Sequence, residues 1–191
     1  MFSLRDATAV DGRRVAEIRT ASWQTAYRGI VPQVHLDVLD LESEAARWSA
    51  ILDGLEPAHE SMQLIVRGGL SDLGEVGGYV GAHPFGPTEP SWGEIMACYL
   101  HPDWWGIGAG DPLLAAGEQR LVGQGFVVGV LWVFEANGRA RRFYERNGWT
   151  ADGERDRNTS RFGDAAPPEL RYTKTLSSAD VSSTDVSSAA R

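Results

Sequence analysis

The chain has one cysteine, Cys98, in 191 residues, so no intramolecular disulfide can form and the redox compartment is barely constrained. No apolar run is long enough to span a bilayer, and Met1-Phe2-Ser3 opens no basic and then apolar leader. A cytoplasmic protein without a membrane partner is therefore the default expectation. Cations are also scarce, with 18 Lys and Arg against 26 Asp and Glu, a net charge of −8. Duplex nucleic acid needs clustered cations, so it is not expected as a partner. The acidic surplus suits cationic or amine ligands, although such a surplus is most often a solvated surface. His35, His59, His83 and His101 show no metal-ligand spacing, and no metal is expected. The dinucleotide pattern Gly-x-Gly-x-x-Gly and the P-loop Gly-Lys-Ser/Thr are both missing.

What remains is an ordinary soluble composition, 42% hydrophobic and 23% charged, at a length that suits one domain with a sizeable core. The most informative stretch runs from Glu94 to Leu114. An apolar strand ends at His101-Pro102-Asp103, where Pro102 cannot donate to a sheet ladder. Gly106, Gly108 and Gly110 follow at every second position, and Pro112 suits the first turn of a helix. A glycine turn feeding a helix N-terminus leaves N–H groups pointing outward, which makes an anion site; the plainer reading is a mobile turn.

Taken in order, Leu4–Ala7 reads as a strand and Thr8–Asp11 as a capping turn. Val15, Ile18, Ser22, Trp23 and Ala26 recur at helical spacing until Tyr27–Gly29. Leu36, Leu39 and Leu41 suggest a short second helix, and Glu42–Leu52 an amphipathic third with Trp48 inward. Met62–Arg67 and Glu75–Ala82 read as a hairpin around Gly68–Gly74, and His83–Pro87 as a loop before the strand Trp92–Leu100. A helix from Asp111 carries Leu113, Leu114, Gly117 and Leu121 on one face. Val127–Phe134 is a buried strand, Arg139–Asn147 a helix stopped by Gly148, and Thr150–Glu154 and Glu169–Leu176 closing strands. Residues 1–176 form the expected domain; from Ser177 an imperfect Ser-rich repeat without aromatics reads as a disordered tail, 177–191.

The block Asn137-Gly138-Arg139-Ala140-Arg141-Arg142-Phe143-Tyr144-Glu145-Arg146-Asn147-Gly148-Trp149 joins with the glycine turn into a recognisable pair. Together they resemble the GNAT superfamily of acyl-CoA-dependent N-acetyltransferases, whose motifs are Gln/Arg-x-x-Gly-x-Gly/Ala after an apolar strand and Asn-x-x-Ala-x-x-Phe-Tyr-x-x-x-Gly-Phe/Trp. The second matches at Asn137, Ala140, Phe143, Tyr144, Gly148 and Trp149. The resemblance implies an α/β GNAT acyltransferase fold: a central mixed, largely antiparallel sheet with splayed middle strands, flanked by helices. It implies acetyl-CoA as cofactor, CoA as product, direct transfer to an amine, and allows a homodimer.

By that resemblance the turn Trp105, Gly106, Ile107, Gly108, Ala109, Gly110 and Asp111 holds the pyrophosphate, and Asn137 and Ala140 lie against the cofactor. Backbone amides near Cys98 and Leu100 pair with the pantetheine and the thioester oxygen. Tyr144 contacts the cofactor and protonates the leaving thiolate, and Glu94 has the spacing of the histone-type general base. Trp105 and Asp111 depart from the motif, the first replacing Gln or Arg and the second setting a carboxylate beside a diphosphate. Asp111 can instead cap its own helix, and Arg139, Arg141 and Arg142 are the candidates to compensate its charge. Strand alternation puts Glu94, Met96, Cys98 and Leu100 on one face. Trp23 and Tyr27 read as core aromatics by spacing, while the resemblance makes them a wall of a small-molecule acceptor site that includes Glu94. Cys98 reads as a small buried hydrophobe rather than an acetylated nucleophile. A catalytically silent acyl-CoA-binding module, another acyl group and a protein amine are the rival readings.

Overall fold

The computed structural model describes residues 1–56, 60–68, 74–156 and 158–177. His59 and nearly all of the Ser-rich tail lie outside them. The chain begins with strand β1 (Phe2–Asp6), then a 3-10 turn at Ala9–Asp11, where Asp11 accepts from the N–H and hydroxyl of Thr8. Helices α1 (Gly12–Ala26), α2 (Gln33–Asp37) and α3 (Leu41–Asp53) follow. The short helix ends before Leu39, because Leu41 belongs to α3, which Asp40 caps by accepting from the Ser43 N–H.

Strands β2 (Ser61–Arg67), β3 (Glu75–Pro84) and β4 (Trp92–Leu100) form an antiparallel meander with β1. β3 runs through His83 and Pro84, which read from sequence as loop. After helix α4 (Gly110–Gly123) comes strand β5 (Val128–Phe134), then helix α5 (Gly138–Arg146), strand β6 (Thr150–Asp156), a four-residue helix α6 (Thr159–Phe162) and strand β7 (Glu169–Thr175). The sheet order is β1-β2-β3-β4-β5-β7-β6.

Among the described residues one strand pair is parallel, and it is short. β4 meets β5 over Trp92–Glu94 and Val128–Val130, after which the pairing ends while both strands continue. This is the expected splay. One face of the sheet packs Leu113, Leu114, Ala116 and Leu121 of α4 against Val80, Ala82, Ile95, Leu131 and Tyr172. Gly117 lets α4 come close, since a Cβ there would lie 2.6 Å from Val80 and 2.8 Å from Ile95. The opposite face packs Val15, Ile18, Ala45, Trp48 and Leu52 against Leu64, Val66 and Tyr79. The two cores stabilise the sheet from both sides of the gap between β4 and β5.

Candidate active site

The turn entering α4 presents backbone donors at a helix N-terminus. A 3-10 turn over Pro102–Trp104 buries Trp104, and Trp105 then fixes its indole by donating to the Leu100 carbonyl at 2.9 Å. Gly106 and Gly108 take φ of 78° and 84°, which only glycine adopts without strain. No side chain caps α4, and the geometry of a first helical turn leaves the N–H groups of Ala109, Gly110 and Asp111 without helical acceptors. Ile107 is exposed and Ala109 is buried, so these two offer backbone rather than side chain.

Asp111 does not cap its helix. Its carboxylate accepts from Arg146 at 2.8 Å and Asn147 at 3.1 Å, both from the end of α5, and those bonds hold its pKa below the usual carboxylate value. The cation answering Asp111 is thus Arg146, not Arg139, Arg141 or Arg142. Arg141 is turned away to the Tyr172 hydroxyl and the Glu135 carbonyl. Arg139 lies over the Trp105 ring, its guanidinium carbon 3.6 Å from the centroid.

Beyond the turn, the cleft follows the splay. The Leu100 carbonyl accepts from the Ser22 hydroxyl and the Trp105 indole, so this residue's backbone faces away from β3. In a strand the N–H and C=O of one residue point the same way and repeat every second residue, so the Leu100 and Cys98 amides face the gap. Asn137 caps α5 by accepting from the Ala140 N–H at 3.1 Å, which sets Ala140, Phe143 and Tyr144 against the first core. Tyr144 lines the cleft near Cys98, and among the described residues its hydroxyl makes no hydrogen bond. Burial, with smaller contributions from Cys98 and Tyr99, raises the Tyr144 phenol well above its ordinary pKa. Burial and then Glu118 push the Cys98 thiol up to about 12.

Strand alternation fails at one residue. Gly81 pairs with Ala97 and Ala82 with Ile95, so Met96 is an extra residue in β4, a bulge. Ile95, Cys98 and Leu100 join the core under α4, while Ala97 and Tyr99 join the one under α1. Glu94, alternating with Ile95, therefore shares a face with Ala97 and Tyr99 and not with Cys98 and Leu100. There it meets its register partner His83, whose Nε2 is 3.3 Å from the carboxylate.

That face holds an aromatic chamber. Tyr27 sits edge-on to Trp23 and Phe134 at 5.0 and 4.9 Å, and its hydroxyl lies 3.4 Å from that of Tyr99. Phe162 of α6 closes the cluster against Trp23, His35 and Phe134. Trp23 and Tyr27 are at once core aromatics and cleft walls. Trp132, Asp156 and Glu169 line the same end, the last two directly opposite each other on β6 and β7. The glycine turn and the chamber are two ends of one cleft of about 870 Å³, a volume ordinary for a small-molecule site. Sequence reasoning missed Tyr99, Phe162 and Arg146. Tyr99 was visible as the only tyrosine of β4, whereas Phe162 sits in a segment with no periodicity. Among the described residues no cluster suits a metal ion, and no helix is long and apolar enough to cross a membrane.

The model of the Acetyltransferase (GNAT) family matches residues 16–149, which span both motifs. An uncharacterized N-acetyltransferase, YuaI of Bacillus subtilis, is 30% identical over 139 residues, covering 72% of this chain and 74% of that protein. Mycothiol acetyltransferase of Corynebacterium aurimucosum is 41% identical over 61 residues, 32% of this chain and 20% of that one. Among solved structures, the PaiA N-acetyltransferase of Thermoplasma acidophilum in complex with coenzyme A superposes with a TM-score of 0.65 at 17% identity, over 92% of this chain and 99% of that one. A Streptococcus pneumoniae acetyltransferase of the same family gives 0.65 at 15% identity, over 92% and 100%.

Proposed function

Because the chain belongs to the GNAT family of acetyltransferases, we propose that it transfers an acetyl group from acetyl-CoA directly to the primary amine of a small-molecule acceptor. One observation carries this reading: a single cleft joins an uncapped helix N-terminus to an aromatic chamber, and they meet where β4 leaves β5. Acetyl-CoA would supply the activated thioester. The amides from Gly106 to Asp111 would hold its diphosphate, and those of Cys98 and Leu100 its pantetheine arm. The first turn of α4 and the stretch of β4 beyond its pairing with β5 present donors of this kind, which is what an acyl-CoA needs. The coenzyme A in the related PaiA structure supports the same choice.

The chain's own groups divide the proton work. Glu94 faces the acceptor chamber, and three residues of strand separate it from Cys98, roughly 10 Å or more. It therefore takes the acceptor's proton through water. Tyr144 faces the cofactor side and gives its proton to the departing thiolate. Burial keeps the phenol protonated, so its proton is there to give. A thiol held near 12 is a poor nucleophile, which favours direct attack over an acetyl-cysteine at Cys98. The small acceptor is supported by α1 and α6, whose Trp23, Tyr27 and Phe162 wall the chamber. A silent binding module was suggested by Asp111 beside a diphosphate, and Arg146 with Asn147 answers that charge.

The test is thiol release from acetyl-CoA across a panel of monoamines, diamines, amino sugars, amino acids and a peptide with a free N-terminus. Turnover with a small amine and none with the peptide is expected. Acetyl-CoA binding without turnover on any acceptor would move the chain to the silent class, and no binding would overturn the cofactor reading.

A further inference from the structure

The motif resembled here carries Gln or Arg where this chain has Trp105, so the turn has lost a polar side chain beside the diphosphate site. The neighbouring cations differ in what they do. Arg146 is engaged by Asp111, and Arg141 by Tyr172 and Glu135. Arg139 is laid on Trp105 at contact distance, 3.6 Å, and among the described residues it makes no ion pair and no hydrogen bond. Both residues line the cleft.

A guanidinium stacked on a ring spends its face and keeps the N–H donors on its edge. The ring beneath it is fixed, because the Trp105 indole is bonded to the Leu100 carbonyl at 2.9 Å. The cation is thereby held in one place before a ligand arrives, which lowers the ordering cost of binding. Its partial loss of hydration lowers its pKa, but an arginine stays charged throughout the working range. A cation pre-placed beside an uncapped helix N-terminus, with donors in a planar fork, matches the oxygens of a phosphate. Arg142 lines the same cleft without a platform, so its side chain must be ordered by the ligand itself.

We propose that Arg139, seated on Trp105, is a phosphate-binding residue for the acyl-CoA, with Trp105 as its positioning residue; this rests on the cofactor reading above. The polar donor that the motif places at residue 105 is delivered here from α5, over the ring that stands in its place. The shared chemistry is a phosphate, and coenzyme A offers two sources, the diphosphate and the 3′-phosphate.

Calorimetric titration of the full chain with CoA and with 3′-dephospho-CoA tests this, using wild type, Arg139→Gln, Arg139→Lys, Trp105→Phe and Trp105→Ala. Arg139→Gln, which keeps a planar group on the ring, should weaken CoA at least tenfold with an unchanged melting temperature. Arg139→Lys should recover part of the loss. Trp105→Phe should bind within about threefold of wild type, and Trp105→Ala should lose affinity although Arg139 remains. If the Arg139→Gln loss persists with dephospho-CoA, the diphosphate is the partner; if it disappears, the 3′-phosphate is. Arg139→Gln binding CoA within twofold of wild type would overturn the proposal while leaving the cofactor reading intact. A wild type that binds no CoA would overturn both.

Discussion

The carboxylate of Asp111, at the second residue of α4, is held by Arg146 at the last residue of α5, 2.8 Å from oxygen to nitrogen. An acid in the first turn of α4 is thus answered by a cation from the next motif along the chain. Both side chains are more than half exposed, so the pair adds little to stability, and its effect is on the field at the turn. Asp111→Asn should tighten CoA binding and Arg146→Ala should weaken it, each by about fivefold, the order of one charge acting in a high dielectric. Calorimetry on the two variants and the double mutant checks the signs.

Tyr144→Phe should lower kcat by about 10²-fold, the usual contribution of a positioned acid. CoA affinity should stay close to that of wild type, because the ring remains packed near Phe143, Trp149 and Tyr172. Since burial raises the phenol well above 10.0, the acid keeps its proton across the alkaline range. The wild-type rate should therefore show no alkaline fall below pH 10 from this group.

Glu94→Gln should reduce kcat/KM for the amine by about 10²-fold while leaving CoA affinity unchanged. His83→Gln, which removes the partner 3.3 Å away, should give a smaller loss in the same parameter. Steady-state kinetics with the best acceptor of the panel separates the two.

Cys98→Ala should keep activity within about twofold, because the residue serves as packing. With its thiol near 12, only about one molecule in 10⁴ carries the thiolate at pH 8. Alkylation of the folded protein by iodoacetamide should be correspondingly slow, and mass spectrometry after timed exposure measures it.

Asp11→Asn should destabilise the fold by about 2 kcal/mol, because the carboxylate is buried among donors from Arg5 and Thr8. The Arg5 hydrogen bond is the largest cause holding its folded pKa below 3.8. A depressed folded pKa contributes stability that is fully present above the unfolded value and lost as pH falls through the folded one. The gap between wild type and variant in urea melts should be full at pH 7 and close progressively below about 3.8.

Much of the site was legible because its parts are local. Gly106 and Gly108 announce positive φ by residue type, and the Leu113, Leu114, Gly117 and Leu121 stripe announces the face of α4 that the sheet covers. Asn137, three residues before Ala140, carries its own cap. The bulge at Met96 was not legible, since no residue type there forces an extra residue, and β3 alone sets the register. It moved Glu94 to the other face of β4 from Cys98.

Composition, the two motifs and their order by themselves determined the family, the fold class and the place of the glycine turn before α4. These properties reside in backbone preferences and periodicities that a short segment carries alone. Tertiary structure decided which charge answers Asp111, that Arg139 lies on Trp105, that Tyr27 meets Tyr99, and which face Glu94 takes. Each of those joins groups from separate elements, over 72 residues for Tyr27 and Tyr99, and side-chain contacts of that range follow from packing rather than from local sequence.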